Sequence, residues 1–378
     1  MKVVILGGGR VGNAMALDLS QDPQFQVTVA DVDSGRLSLF PKASGISLIS
    51  QDLTNHQNLQ KLVKKFDVVI NALPGFMGFT AFQNVIEAGV NVVDIAFFPE
   101  DPFVLQELAV RKKVTALMDC GVAPGMSNLL AGYAVSRLEQ VSDIKIYVGG
   151  LPRVREWPYE YKAVFSPIDV IEEYTRPARY LRFGQLVTEP ALSGREYLDF
   201  KEVGTLEAFN TDGLRTLLKT ISCPNMIEKT MRYPGHVEKM MLLRETGFFE
   251  QTPLEFNGMK IRPLDLTARL LFPMWEMKPG DEDVTVMRVI IEGWQSGKNI
   301  RYTYDLVDRF DPVKGTTSMA RTTGYTATMV IRLLAAGLWK EKGVFSPEFL
   351  SRKKECVHFI LKGLEERGII YRESVAEI

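Results

Sequence analysis

The chain opens on an apolar run, Met1-Lys-Val-Val-Ile-Leu, set directly against the turn Gly7-Gly-Gly-Arg-Val-Gly12. Gly7, Gly9 and Gly12 fill a GxGxxG frame, and Asn13 to Leu19 continue it as a helix. Each glycine has a separate job. The first permits the tight turn, the second lets backbone approach a diphosphate, and the third lets helix and strand pack closely. The anion sits at the helix N-terminus, where free N–H groups and the helix dipole favour negative charge. A second strand, Gln26 to Ala30, ends in Asp31, about 20 residues beyond Gly12, where a ribose-binding acid is expected. The turn therefore predicts a dinucleotide held by Gly7, Gly9, Arg10, Val11, Gly12 and Asp31.

At 378 residues the chain is long enough for two domains. Its net charge of −1 and lack of a basic run exclude nucleic acid and membrane as expected partners. No uncharged apolar stretch approaches the length needed to span a bilayer. With no charged n-region and apolar h-region ahead of the first strand, the expected location is cytoplasmic. Cys120, Cys223 and Cys356 read as reduced thiols, and no His/Cys pair stands at ligand spacing, so no metal is expected.

The first third alternates strand and helix. Val3 to Leu6, Gln26 to Ala30, Ser47 to Ile49, Val68 to Ala72, Val92 to Ile95 and Thr115 to Met118 lack polar alternation, as strands covered on both faces do. The fold class expected is α/β: a Rossmann doubly wound parallel sheet, followed by a second α+β domain carrying a mixed or antiparallel sheet. In such sheets ligands lie beyond the carboxyl ends of the strands. That rim adds Asp52, Leu53, Ala72, Leu73 and Pro74 to the cofactor residues, and brings Asp94 and Asp119 forward as groups that could handle an amine. From Asn128 the texture changes to alternating strands and hairpins, among them Val284 to Trp294 with Ile300 to Val307. Helices are expected over Ile168 to Tyr174, Gly213 to Ile221 and His236 to Thr246. The expected domains are residues 1–127, binding the dinucleotide, and 128–316, binding substrate, with the helices of 317–378 returning to the first.

Asp31-Val-Asp33 favours NAD over NADP, because a carboxylate accepts from ribose hydroxyls and repels a 2′-phosphate; Arg36 is the residue that could argue otherwise. In the second domain, Arg179 and Arg215 suit bidentate capture of a substrate carboxylate, and carboxylates nearby suit an ammonium. Arg176 and Arg179 also have a plainer reading as ion pairs, and Asp212 as a helix cap. His236, at a helix start, reads equally as a structural histidine or as a proton-transfer group. Cys120 has no histidine in sequence reach and reads as a small buried residue.

The stretch Asp119-Cys-Gly-Val-Ala-Pro-Gly-Met-Ser-Asn128 resembles the saccharopine dehydrogenase superfamily, and within it the lysine 6-dehydrogenase branch. The likeness extends to Ala72-Leu-Pro-Gly-Phe76, Glu173-Tyr-Thr-Arg-Pro-Ala-Arg179, Thr211-Asp-Gly-Leu-Arg215, Arg232-Tyr-Pro-Gly-His236 and Ser318-Met-Ala-Arg-Thr-Thr-Gly324. Where saccharopine reductases carry an Asp ahead of the Pro-Gly and an Asp-His pair after it, this chain has Ala123 and Ser127-Asn128. The resemblance implies NAD-dependent oxidation of L-lysine at its ε-carbon to 2-aminoadipate 6-semialdehyde and ammonia, in a homodimer formed through the second domain. It implies a substrate set of Tyr174, Arg179 and Arg215, with Asp94, Asp119 or His236 handling the amine. The competing expectations are a reductase that joins an amine to a carbonyl compound, as in saccharopine or carboxynorspermidine formation, and a non-catalytic sensor of the NAD/NADH ratio.

Overall fold

The computed structural model describes residues 1–378. The chain divides into two compact units, residues 1–136 with 320–371, and 137–319 with 372–378.

The first unit is built on β1 (Lys2–Leu6), β2 (Gln26–Asp31), β3 (Ser47–Ser50), β4 (Val68–Asn71), β5 (Asn91–Asp94) and β6 (Thr115–Leu117). All pair in parallel, in the spatial order β6-β5-β4-β1-β2-β3, and a seventh strand from the tail, Gly343–Phe345, pairs with β6. Val3 to Leu6 and Val69 to Ile70 are fully buried, because helices cover both faces of the sheet and leave no polar side to alternate with. The order reverses between β1 and β4, the switch point at which doubly wound sheets bind ligands. The glycine turn and helix α1 (Arg10–Ser20) follow β1 at that point.

The tail helix Ser318–Ala335 crosses α1 closely, since a Cβ on Gly324 would meet Met15 Cγ at 2.9 Å and Val11 O at 3.3 Å. Buried Asp18 fastens the contact. It accepts from Arg332 Nη1 at 2.6 Å, Arg367 Nε at 2.7 Å and Thr328 Oγ1 at 2.5 Å. Two features stand apart from the boundaries read off the sequence. The helix Met126–Val135 belongs to the first unit, and the last strand, Arg372–Glu377, leaves that unit to pair with the second sheet.

The second sheet contains β7 (Gln140–Pro152), β8 (Ala178–Arg182), β9 (Gln185–Glu189), β10 (Glu196–Phe200), β11 (Gly204–Asn210) and β12 (Asn225–Arg232). A hairpin, β13 (Leu254–Phe256) and β14 (Met259–Ile261), stands outside it, and β15 (Asp283–Gln295) with β16 (Lys298–Arg309) completes it. Its order is β10-β11-β12-β7-β15-β16 and then Arg372–Glu377, with only β12 and β7 parallel, so the sheet is mixed. Helices α2 (Pro167–Thr175), α3 (His236–Glu245) and α4 (Pro263–Trp275) enclose a core of Tyr161, Tyr174, Phe209, Val237, Leu271 and Trp275.

The helix expected over Gly213 to Ile221 shrinks to Leu217–Thr220. Arg215 has φ +47°, which no right-handed helix admits, and the Gly213 amide donates to a side chain.

Candidate functional site

In the first unit the glycine turn is forced by sterics. Gly7 has φ +105°, and a Cβ there would meet Ala72 O at 2.7 Å; one on Gly12 would meet Gly7 O at 2.0 Å. Gly9 differs, because a Cβ there would have nothing within 4 Å. It caps α1 with no side-chain hydrogen bond, and no acid occupies the helix's first turn. Uncapped N–H groups beside open space and bare backbone fit the diphosphate of a dinucleotide. Arg10 is exposed and Val11 half-buried at the same helix start.

Asp31, nearly buried at the end of β2, accepts from the Gly8 amide at 2.7 Å and from the Asp33 amide at 2.8 Å. It is thereby tied to the turn. Arg36 is exposed, 4.0 Å from Asp31 and 3.4 Å from Asp33. Ala72 touches the turn through its carbonyl, and Leu73 and Pro74 lead into the helix Gly75–Glu87. Asp52 is exposed beyond β3, where the Thr54 hydroxyl and amide hold its carboxyl below the usual range, and Leu53 is buried in the core. No hydrogen bond joins Asp52 or Leu53 to the glycine turn, whereas Asp31 accepts from it and the Ala72 carbonyl crowds Gly7.

Asp94 is fully buried at the end of β5. Its carboxylate accepts from Asn71 Nδ2 and from the Ala96 amide at 2.9 Å, and its carbonyl accepts from the Cys120 amide at 2.8 Å. Asp94 therefore locks three strand ends together. Asp119 is also buried, with φ +54°. Burial, then the Asp119 and Asp94 charges, push the Cys120 thiol well up, so it is no nucleophile.

The second unit buries a polar network around Arg232, on β12. Its Nη2 donates to Glu173 at 2.6 Å and to Tyr161 at 3.5 Å, and its Nε donates to the Tyr174 hydroxyl at 3.2 Å. The guanidinium lies 4.6 Å from the Tyr161 ring centroid. Tyr174 also lies 2.9 Å from His236 Nε2, while His236 Nδ1 lies 2.9 Å from Tyr159 O. A carbonyl oxygen only accepts, so Nδ1 carries the proton and Nε2 accepts from Tyr174. This chain of donors needs a neutral imidazole. Burial, and then the charge of Arg232, lower the His236 pKa to about 3. His236 thus holds Tyr174 in place and is not a base poised near neutrality. Burial pushes Tyr174 up to about 12. Trp275 stands edge-on to Tyr161 at 5.5 Å and closes the network's apolar side.

A second cluster lies on the loop after β11. Arg179 grips Asp212 through two hydrogen bonds of 2.8 Å, Nε to Oδ1 and Nη2 to Oδ2. This is the plainer of the two readings of Arg179. Arg215 is half-buried at the left-handed turn.

Glu228, which the sequence reading missed, accepts from Thr211 Oγ1 at 2.6 Å and from the Gly213 amide at 3.1 Å. Burial raises its pKa to about 8 against those two hydrogen bonds, and the Glu173 and Asp212 charges push the same way. Glu173 and Asp212 each hold an arginine; Glu228 holds no cation. No local signal marks it: Glu228-Lys-Thr-Met-Arg232 are buried one after another in one strand, with neither alternation nor an apolar run.

A parallel sheet in Rossmann order, an open glycine cradle and a second domain with a buried arginine–carboxylate network are the parts of a two-domain nucleotide-binding protein. The saccharopine dehydrogenase NADP binding domain model matches residues 3–117, and the saccharopine dehydrogenase C-terminal domain model matches residues 121–369. The chain belongs to the saccharopine dehydrogenase family.

It is 23% identical over 450 residues to the saccharopine dehydrogenase [NADP(+), L-glutamate-forming] of Saccharomyces cerevisiae, covering 98% of each chain. It is 23% identical over 403 residues to the carboxyaminopropylagmatine dehydrogenase of Synechocystis, covering 99% of this chain and 98% of that one. The mouse mitochondrial alpha-aminoadipic semialdehyde synthase is 22% identical over 98% of this chain, which spans about half (47%) of that relative's length. Among solved structures, the apo saccharopine dehydrogenase (L-Glu forming) of S. cerevisiae superposes with a TM-score of 0.80 at 21% identity, covering 99% of each chain. The Legionella pneumophila homospermidine synthase, solved with NAD, gives 0.66 at 15% identity, covering 100% of this chain and 91% of that one.

Proposed function

We propose that this chain oxidises the ε-amine of L-lysine with NAD, giving 2-aminoadipate 6-semialdehyde and ammonia. The observation that carries an amine substrate is the charge balance of the second unit. Of the carboxylates around β12, Glu173, Asp212 and Glu207 already have guanidinium partners, whereas buried Glu228 is held only by the Thr211 hydroxyl and the Gly213 amide. An ammonium is the ligand that completes it. Glu228 has a pKa of about 8, suited to taking the proton an ammonium must lose before its carbon can give up hydride. The nicotinamide ring, when bound, supplies the hydride acceptor. Water then attacks the iminium carbon, and ammonia leaves.

Arg215, in the Thr211-Asp-Gly-Leu-Arg215 motif beside Glu228, or Arg179, which grips Asp212, would take the α-carboxylate. Tyr174, held by Arg232 and His236, lines the same network as a substrate-side group. Asp94, Asp119 and His236 act as positioning residues. Two features favour lysine alone over a two-substrate condensation. Ala123 replaces the acid of saccharopine reductases, and Ser127 and Asn128 replace the Asp-His pair. Those last two are buried, with Asn128 accepting from the Gly125 amide at 3.3 Å and Ser127 Oγ at 3.0 Å, and donating to Glu348 at 3.2 Å.

Asp31 at the end of β2, tied to the glycine turn through the Gly8 amide, supports NAD over NADP, because a carboxylate at that position repels a 2′-phosphate. The names of the full-length relatives support a second reading, a reductase that joins an amine to a carbonyl compound and uses NADPH.

One assay separates the two. Purified protein is given NAD or NADP with a panel of single amino acids and diamines, and reduced cofactor and ammonia are followed together. Lysine with NAD should yield both one for one. Reduced-cofactor consumption that requires an amine and an oxo acid together, with no ammonia from lysine, would replace this reading with the second.

A further inference from the structure

Asn210 pairs with Lys229 at the end of β11, and the residues that follow stay against β12. The Thr211 amide donates to the Glu228 carbonyl at 3.4 Å, which pins the loop at its first residue. Two residues on, Gly213 has no room for a side chain: a Cβ there would collide with the carboxyl carbon and Oε2 of Glu228. Asp212, between them, is gripped by Arg179 of β8. The loop is closed down on one carboxylate and held there from its outer side.

The two oxygens of that carboxylate stand in different positions. Oε2 accepts from the Thr211 hydroxyl at 2.6 Å and from the Gly213 amide at 3.1 Å, and no hydrogen bond reaches Oε1. A hydroxyl has one proton to give. When Thr211 donates it to an ionised Glu228, the 2.9 Å contact between Thr211 Oγ1 and Thr230 Oγ1 has to run from Thr230 to Thr211. Thr230, Thr211 and Glu228 then form a directed chain, in which the rear donor polarises the one ahead.

Thr230 is buried two residues beyond Glu228, on the same face of β12. Thr211 is the one side chain its hydroxyl bonds. A valine would fill the same space with no polar atom to satisfy, so the bond to Thr211 is what the hydroxyl is for. The charges that face Glu228 are Glu173, on α2, and Asp212, on the loop, and each is paired with an arginine of its own.

We propose that Thr211 and Thr230 are positioning residues for Glu228: their hydroxyl chain turns Oε2 inward and leaves Oε1 as the oxygen that meets the substrate's amine. This rests on the amine-binding reading of Glu228 given above. Donors on Oε2 also favour the ionised carboxylate against the burial that opposes it. The bonds that aim the group therefore keep it able to take a proton at Oε1.

The test titrates Glu228 with no substrate present. Full-length wild type, Thr211→Val, Thr211→Ser and Thr230→Val, each with and without Glu228→Gln, are unfolded by urea between about pH 5 and about pH 10, and subtraction leaves the titration of Glu228. In wild type it should centre near pH 8. Thr211→Val keeps the shape and removes the donor, so Glu228 should hold its proton at least about tenfold tighter, a rise of about one pH unit. Thr211→Ser should bring the titration back to within about 0.3 pH unit of wild type. Thr230→Val should shift it the same way by less, about threefold in proton affinity, and carries the test if Thr211→Val does not fold. With lysine and NAD, the rise of kcat/KM with pH should move up by the same interval in each variant. A Thr211→Val protein destabilised equally at every pH, with Glu228 titrating as in wild type, would overturn the proposal, because the hydroxyl would then serve the fold alone. So would Thr211→Ser behaving as Thr211→Val does. Lysine left unoxidised by wild type would defeat the proposed reaction, and the titration, which uses no substrate, would still decide whether the hydroxyls position Glu228.

Discussion

The two units spend polar residues in opposite ways. In the first, the sheet interior is aliphatic, and the functional turn is made by what is missing, side chains at Gly7, Gly9 and Gly12. Its one fully engaged buried ion cluster, Asp18 with Arg332 and Arg367, ties the tail to α1 away from the turn. In the second, the interior beneath α2 and α3 is itself polar: Arg232, Glu173, Tyr174, His236, Glu228 and Thr211 are hydrogen-bonded to one another or to backbone. A site that must receive phosphates of fixed shape needs backbone and space. One that must recognise a charged, flexible amine needs ionisable groups held away from water. The first kind of site is rigid through sterics, the second through donor–acceptor order.

Breaking that order should have the largest effect. Arg232→Ala leaves Glu173 buried without its cation and Tyr174 without its donor, and should destabilise the second unit by about 3–5 kcal/mol, read by urea denaturation. Arg232→Lys should recover only part, because an ammonium lacks the fork that serves Glu173 and Tyr174 together.

A pH dependence sharpens the contrast further. Glu228 titrates near 8 when folded and near the ordinary 4.5 when unfolded. Its proton is held by the folded state, so stability is full below about pH 4.5, falls as pH rises, and levels off above about pH 8. Glu228→Gln should remove that fall, stabilising the chain at pH 8 by at most about 5 kcal/mol. The same change should lower kcat for lysine if the carboxylate takes the amine proton. His236 works in the other direction: its depressed pKa of about 3 means stability is present above about pH 6.5 and is lost as pH drops toward 3.

A smaller effect belongs to the Arg179–Asp212 pair, whose arginine is half-exposed and whose carboxylate is buried. Arg179→Ala should cost about 1–3 kcal/mol, because the buried carboxylate loses a bidentate donor. A KM for lysine raised more than tenfold by that change would assign Arg179 to the substrate's carboxylate.

How much could be read from residues alone follows the same division. Val3 to Leu6 and Val68 to Ile70 are apolar without interruption since both faces are covered, and such runs announce themselves. The turn after β1 was legible because only glycine meets its contacts. β12 was not read as a strand: Asn225-Met-Ile-Glu-Lys-Thr-Met-Arg232 has buried polar residues on consecutive positions, so neither alternation nor an apolar run marks it. The helix expected from Gly213 failed at Arg215, whose left-handed backbone local propensity does not foresee. The β13–β14 hairpin carries its own signal, Asn257-Gly258 between short apolar segments. Polar partners chosen across 17 or 62 residues of chain, as in Glu228 with Thr211 and His236 with Tyr174, have no local signature at all.

The claim beneath the rest is that bare backbone at Gly9 admits a dinucleotide diphosphate, and calorimetry on Gly9→Val tests it most directly. A side chain there meets open space in the protein itself, so the variant should melt within a few degrees of wild type, the cost of a poorer helix cap being about 1 kcal/mol. Wild type should bind one NAD per chain, more tightly than NADP, and the variant should bind at least about 30-fold more weakly because the valine occupies the phosphate's approach. A folded Gly9→Val protein that binds NAD as wild type does, or a wild type that takes up neither dinucleotide, would contradict the account.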